Sequence, residues 1–251
     1  MPISVMVQTN HDQGLKLQAQ TLNRLLRALP PAEYEALAPH LTPVDLPRGK
    51  ILYEPGDLIE QVYFPERAMV SIVSLMESGA TTEIGLIGNE GIVGLPVVFG
   101  APHADNRAIV QVADGGTRLS AAALREVINQ GGQLQRILLS YASVMFAYVS
   151  QLAACNRHHR IEQRLARWLL HVSNSIGSDN LPLTQEFIAE MLGSRRSGVT
   201  AAAQSLQRDE IIQYRRGKIT ILDRDRLEQE TCECHYQIQN GFSQLPGKSG
   251  P

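Results

Sequence analysis

Residues 185–204 read Gln185-Glu186-Phe187-Ile188-Ala189-Glu190-Met191-Leu192-Gly193-Ser194-Arg195-Arg196-Ser197-Gly198-Val199-Thr200-Ala201-Ala202-Ala203-Gln204, and this stretch decides the fold. Ile188, Leu192, Val199 and Ala202 are spaced so that two short helices share one core. Ala189 is small where such helices cross closely, and Gly193 accepts the positive φ of a tight turn. The pattern is a helix-turn-helix. Its second helix opens on Ser194, Arg195, Arg196, Ser197 and Thr200, and the N-terminal residues of such a helix reach base edges in the major groove. Arginine pairs bidentately with guanine, whereas serine and threonine adapt to bases or phosphates. Gly198 lowers helix propensity there and leaves room for close backbone approach.

Tyr214-Arg215-Arg216-Gly217-Lys218 follows, with Gly217 to Leu222 as a returning strand. A basic hairpin in this position makes a wing for phosphate contacts through Arg215, Arg216 and Lys218. Charge agrees. The chain of 251 residues has a formal charge of −2, which excludes a polycation coating nucleic acid along its whole length. Residues 156–226 nevertheless hold 12 Lys/Arg against 8 Asp/Glu, while residues 1–155 hold 10 against 14.

Upstream, apolar or small residues recur at Leu134, Leu138, Tyr141, Met145, Tyr148, Leu152 and Cys155. Alternating steps of four and three are those of a coiled-coil seam. We therefore expect a dimer interface along Leu134, Leu138, Tyr141, Met145, Tyr148 and Leu152. Ile137, Val144, Phe146 and Val149 are left to pack against the chain's own body.

Between Thr42 and Arg118 the period shortens. Lys50–Tyr53, Gln61–Phe64, Val70–Leu75 and Ala108–Val112 are short β-branched runs. Turn signals separate them, among them Glu54-Pro55-Gly56-Asp57, Gly88-Asn89-Glu90-Gly91 and Asp114-Gly115-Gly116. Pro55-Gly56 suits a type II turn. Many short antiparallel strands imply a small jelly roll or barrel. Pro30-Pro31 splits residues 23–41 into two short helices.

The expected fold class is α+β: an N-terminal antiparallel jelly roll, a long dimerisation helix and a C-terminal winged helix-turn-helix. Expected boundaries are a flexible arm over 1–20, a barrel over 21–130, the dimer helix over 131–156 and the DNA-binding domain over 157–225. A charged helix and a disordered tail from Gly241 fill 226–251. No apolar run approaches the ~18 residues of a membrane span, and the first residues lack signal-peptide features. Three cysteines, all from Cys155 onward, argue against a disulfide scaffold and for a reducing cytoplasm.

Barrel, long helix and winged helix-turn-helix in this order resemble the Crp/Fnr family of bacterial transcription regulators, over roughly residues 21–225. Thr184 to Thr200, Glu54-Pro55-Gly56-Asp57 and Gly88-Asn89-Glu90-Gly91-Ile92-Val93-Gly94 carry the likeness most specifically. The resemblance implies a homodimer on a palindromic operator in double-stranded DNA, a signal sensed in the barrel, RNA polymerase as a further partner and no membrane. The DNA-contact set is then Thr184, Gln185, Ser194, Arg195, Arg196, Ser197, Thr200, Arg215, Arg216 and Lys218. The cyclic-AMP receptor pattern has Arg-Glu where this chain has Arg196-Ser197, so carboxylate readout of cytosine is lost.

Cyclic-nucleotide binders of the family show Gly-Glu-Leu followed by Arg-Ser/Thr-Ala. Here the corresponding positions are Gly94-Leu95-Pro96 and Asn106-Arg107-Ala108, and Leu95 cannot accept a ribose hydroxyl. The ligand positions implied are Gly94, Leu95, Arg107 and Ala108, but cyclic AMP is not the expected effector. An N-terminal cysteine cluster is missing, and only His40 and His103 are placed to ligate a haem. Cys155 and His159, at i and i+4, together with Cys232 and Cys234, offer a donor set for zinc or an iron–sulfur cluster. The alternatives are a metal- or redox-sensing regulator using those four residues, and a ligand-binding barrel module without DNA binding. A cupin-type enzyme would need clustered ligands on the barrel strands, where His103 stands nearly alone. No enzyme is expected.

Overall fold

The computed structural model describes residues 18–246. Most of the expected N-terminal arm lies outside these residues, but Gln18 is buried and its side-chain amide donates to the Leu29 carbonyl oxygen at 2.7 Å. Two short helices follow, α1 (Arg24–Arg27) and α2 (Pro31–Leu37), divided at Pro30-Pro31 as expected. Asn23 caps α1 by accepting from the Leu25 and Leu26 amides.

Seven strands build the barrel: β1 (Thr42–Leu46), β2 (Ile51–Tyr53), β3 (Gln61–Pro65), β4 (Met69–Leu75), β5 (Thr81–Ile87), β6 (Arg107–Val112) and β7 (Asp114–Ser120). They form two antiparallel sheets, ordered β1-β7-β3 and β2-β6-β4-β5. Asp57 N–H donates to the Glu54 carbonyl at 3.0 Å around Gly56 at φ +92°, which makes the type II turn. Asp114-Gly115-Gly116 is not a turn. It opens β7, and Gly116 lies so close to β3 that a side chain there would meet the Phe64 carbonyl. Glycine here serves close strand approach rather than chain reversal.

Helix α3 (Ala121–Asn129) leads into α4 (Gln133–His158), the long helix. By mean hydropathy, 1.5 over its best 18 residues, α4 is apolar enough to cross a membrane. The expectation of no such run counted uninterrupted apolar residues, and α4 interleaves its own with Ser and Gln. Two neighbouring apolar stripes account for that composition.

The stripe expected to face a partner faces inward. Leu134, Leu138, Tyr141, Met145, Tyr148 and Leu152 are all buried within the chain, in one core with Val62, Phe64 and Val93 of the barrel. Phe146 and Val149, expected to pack inside, are 79% and 38% exposed. The reason is geometric. Residues 139, 142, 146, 149 and 153 repeat the same three–four spacing on an adjoining face of the helix, about 100° around its axis, and only the barrel's position selects between the stripes.

The C-terminal domain comprises α5 (Ile161–Ile176), β8 (Asn180–Leu181), α6 (Gln185–Met191), α7 (Arg196–Arg208), β9 (Ile212–Arg215), β10 (Lys218–Ile221) and α8 (Arg224–Gln229). Its core is continuous with the outer face of the barrel through Met69, Val73, Leu86 and Val112. Gly241 to Ser243, expected to begin a disordered tail, instead end a helix, α9 (Cys234–Ser243), and residues 247–251 of that tail lie outside the described residues. Ile238, Phe242 and Leu245 join the barrel core, and the Arg24 guanidinium donates to the Phe242 carbonyl at 3.2 Å. Three apolar anchors at helical spacing outweigh the Gly/Ser/Pro composition around them.

Candidate nucleic-acid interface and sensor sites

Thr184 caps α6, its hydroxyl accepting from the Phe187 amide at 3.3 Å. Gly193 turns at φ +55°, and Ser194 N–H donates back to the Ala189 carbonyl at 2.9 Å. The chain thus enters α7 with Arg195 as its N-cap and Arg196, Ser197 and Thr200 on its first turns. Arg195, Arg196 and Ser197 are exposed. Thr200 Oγ1 lies 2.9 Å from both the Gln185 side-chain oxygen and the Arg196 carbonyl and shares its one proton between them, tying the two helices together. Ser194 is half-buried beside the Arg164 guanidinium.

The wing is a two-residue hairpin. Arg215 pairs with Lys218, and the loop residues Arg216 and Gly217 have φ +49° and +74°. Positive φ at both positions defines a type I′ turn, which matches the twist of the strands it joins. Arg215, Arg216 and Lys218 are exposed, and a side chain at Gly217 would meet Thr184, the cap of α6.

This domain rests on the barrel through its first helix and the helix-turn-helix behind it. Trp168 Nε1 donates to Glu83 Oε1 at 2.9 Å, and Ser71 Oγ donates to Glu83 Oε2 at 2.6 Å. The Arg48 guanidinium lies 5.9 Å from the Phe187 ring centroid. Burial pushes the Glu83 carboxyl up to about 7, against the lowering pull of the Ser71 and Trp168 hydrogen bonds and of Arg167. Sequence reading missed Glu83 and Trp168, whose pairing links residues 85 positions apart.

The barrel and α4 border an open cavity of about 330 Å³, lined by residues including Tyr53, Gly94, Leu95, Phe99, Met145 and Phe146. Among the described residues that line it, Asp105 and Asn106 carry the charged and amide side chains. Of the four expected ligand positions, Gly94 and Leu95 line it. Arg107 and Ala108 do not. Ala108 is fully buried in the barrel, and Arg107 makes a bidentate pair with Glu54, both bonds 2.8 Å. A carboxylate beside the neighbouring strand has taken the place a ligand phosphate would need.

The remaining cluster lies where α4 meets α5. Cys155, His159, Cys232 and Cys234 place their donor atoms within 4.8 Å of one another. His40 and His103 do not join them. Burial, then the neighbouring thiols, push Cys232 up to about 12.

These features define a winged helix-turn-helix domain packed on a small antiparallel barrel. A Crp-like helix-turn-helix domain matches residues 163–230. The global nitrogen regulator of Nostoc sp. is 24% identical over 184 residues, covering 69% of this chain and 82% of that protein. FixK2 from Bradyrhizobium japonicum superposes with a TM-score of 0.67 at 16% identity, over 76% of this chain and 98% of that one. A CRP/FNR-family transcriptional regulator from Thermus thermophilus gives a TM-score of 0.55 at 21% identity, over 75% and 97% of the two chains. The chain is a DNA-binding transcription regulator with a Crp-like helix-turn-helix domain. These relatives are regulators rather than enzymes, and the match sets aside a barrel module without DNA binding.

Proposed function

We propose that the chain works in the cytoplasm as a homodimer on a palindromic operator, with an apolar effector in the barrel cavity and RNA polymerase downstream, and without a membrane partner. The observation that carries this reading is the exposed stripe on α4. Leu139 and Phe146 are 48% and 79% exposed, and with Ala142, Val149 and Ala153 they repeat at alternating steps of three and four. Ala142 is buried and Phe146 and Val149 border the barrel cavity, but Leu139, Phe146 and Val149 leave an exposed apolar strip on α4, which suits a second copy of the same helix. A two-fold dimer presents two α7 helices to two half-sites.

Within each half-site, Arg196 and its α7 neighbours read bases, with Thr184 and Gln185 supporting them, while Arg215, Arg216 and Lys218 hold phosphates. The cavity favours an apolar ligand over cyclic AMP, because its lining has no cation and Arg107 is committed to Glu54. A mobility-shift titration with genomic fragments, run at several salt concentrations beside sedimentation analysis, tests the reading. Salt-sensitive, sequence-selective binding by a dimer is expected. A monomer that binds all fragments alike would overturn it.

A further inference from the structure

Cys155 sits in the last turn of α4, and its carbonyl accepts from the His159 amide at 3.0 Å. The helix ends at His158, yet His159 still turns its Nδ1 to within 3.4 Å of Cys234 Sγ. On the far side of the DNA-binding domain, the Cys232-Glu233-Cys234 segment opens α9 and is delivered to the same place. Cys155 Sγ lies 3.6 Å from Cys232 Sγ. Two bonds of about 2.3 Å at the tetrahedral angle put sulfurs roughly 3.8 Å apart. A disulfide would need about 2 Å.

We propose that Cys155, His159, Cys232 and Cys234 bind one zinc ion in a closed tetrahedral site that fastens both ends of the DNA-binding domain to α4. The surroundings complete it. His159 Nε2 is 3.2 Å from Glu233 Oε2, so a carboxylate holds the outer ring nitrogen and leaves Nδ1 free to ligate. The Gln151 amide donates to Cys234 Sγ at 3.0 Å. All three cysteines are buried. On binding Zn²⁺, the three thiols release three protons to solvent and the neutral imidazole releases none. The centre then carries one net negative charge, which faces the Arg164 guanidinium.

Three sulfurs and one nitrogen are donors for zinc rather than for calcium or magnesium. Four protein ligands leave no open position, as in structural rather than catalytic zinc sites. Iron–sulfur clusters bind their thiolates through different irons, whereas these four donor atoms all lie within 4.8 Å of one another. The site therefore commits to one ion.

The test uses the full chain, purified anaerobically with a thiol reductant and without chelators. Elemental analysis should give about one zinc per chain. X-ray absorption should give sulfur at about 2.3 Å and nitrogen at about 2.0–2.1 Å in a three-to-one ratio. Glu233→Gln, at an exposed side chain, should weaken zinc retention against a chromophoric chelator by about 10–100-fold. Cys232→Ser with Cys234→Ser should abolish it. Several results would overturn the proposal: reduced wild-type protein that neither contains zinc nor takes it up, equal affinity in the double variant, bound iron with inorganic sulfide, or a Cys155–Cys232 disulfide in the anaerobic protein.

Discussion

Trp168 on α5 donates its indole N–H to the buried carboxyl of Glu83 on β5, joining the DNA-binding domain to the barrel. Trp168 is the only tryptophan in the chain, so its emission reports that joint. Burial raises Glu83 from an ordinary 4.5 to about 7. Below about 4.5 the carboxyl is neutral whether the domains are docked or apart, and docking keeps its full strength. Between 4.5 and 7 the separated form ionises while the docked form resists, so docking weakens as pH rises and the loss is complete above 7. His171 and His235, pushed by burial to about 3 and 4, act in the opposite sense below 6.5. Global unfolding therefore mixes the two effects. Trp168 emission should shift to the red with a midpoint near pH 7, and Glu83→Gln should flatten the curve. A shift that survives in Glu83→Gln would refute the assignment.

Gly88 and Gly91 share a loop but serve different contacts. A methyl group on Gly88 would sit 2.7 Å from Ser175 Cβ on α5, whereas one on Gly91 would strike the buried Tyr141 ring. Gly88→Ala should loosen domain docking, seen as faster proteolysis between α4 and α5, with little loss of barrel stability. Gly91→Ala should destabilise the barrel itself by about 1–3 kcal/mol, seen in denaturant unfolding. If both changes gave the same pattern, the division would be wrong.

The two stripes of α4 separate stability from association. Leu138→Ala empties a buried site and should cost about 2–5 kcal/mol of stability. Phe146→Glu should leave the monomer fold intact. Each lost Phe contact is worth about 2 kcal/mol and occurs twice across a two-fold axis. The dimer dissociation constant should therefore rise by at least about a hundredfold, measured by sedimentation.

Base reading and phosphate holding differ in their signatures. Arg196→Ala should cost about 1–3 kcal/mol on the best operator and relax preference at one position. Lys218→Ala should weaken all sequences alike and reduce the salt slope by about one. Arg216→Gly relieves the strain of a positive φ while removing one phosphate contact, so the domain should melt higher as its DNA affinity falls.

The helix-turn-helix was legible because local rules fix it: a cap at Thr184, a small Ala189, a turning Gly193. The wing was legible for the same reason. The strand β7 was not, because Asp114-Gly115-Gly116 has turn composition and is made a strand only by β1 and β3 on either side. The seam on α4 was misread because its sequence holds two stripes of equal period, and a period cannot say which one meets the barrel. Arg107 carried a familiar pattern, but its partner Glu54 is brought near only by folding, 53 residues away. The cavity's other walls, Phe99, Asp105 and Phe146, had no local signature at all.

Helix α9 gives the chain an order different from the one its sequence suggests. Ile238, Phe242 and Leu245 complete the core of the barrel, although they follow the DNA-binding domain. The DNA-binding domain is therefore an insertion within the barrel domain, with barrel-domain sequence on both sides. A stop codon after residue 230 would spare the whole winged helix-turn-helix and injure the part of the protein farthest from it in sequence. Replacing residues 161–230 by a short linker, in contrast, would leave every element of the barrel domain present to close on itself.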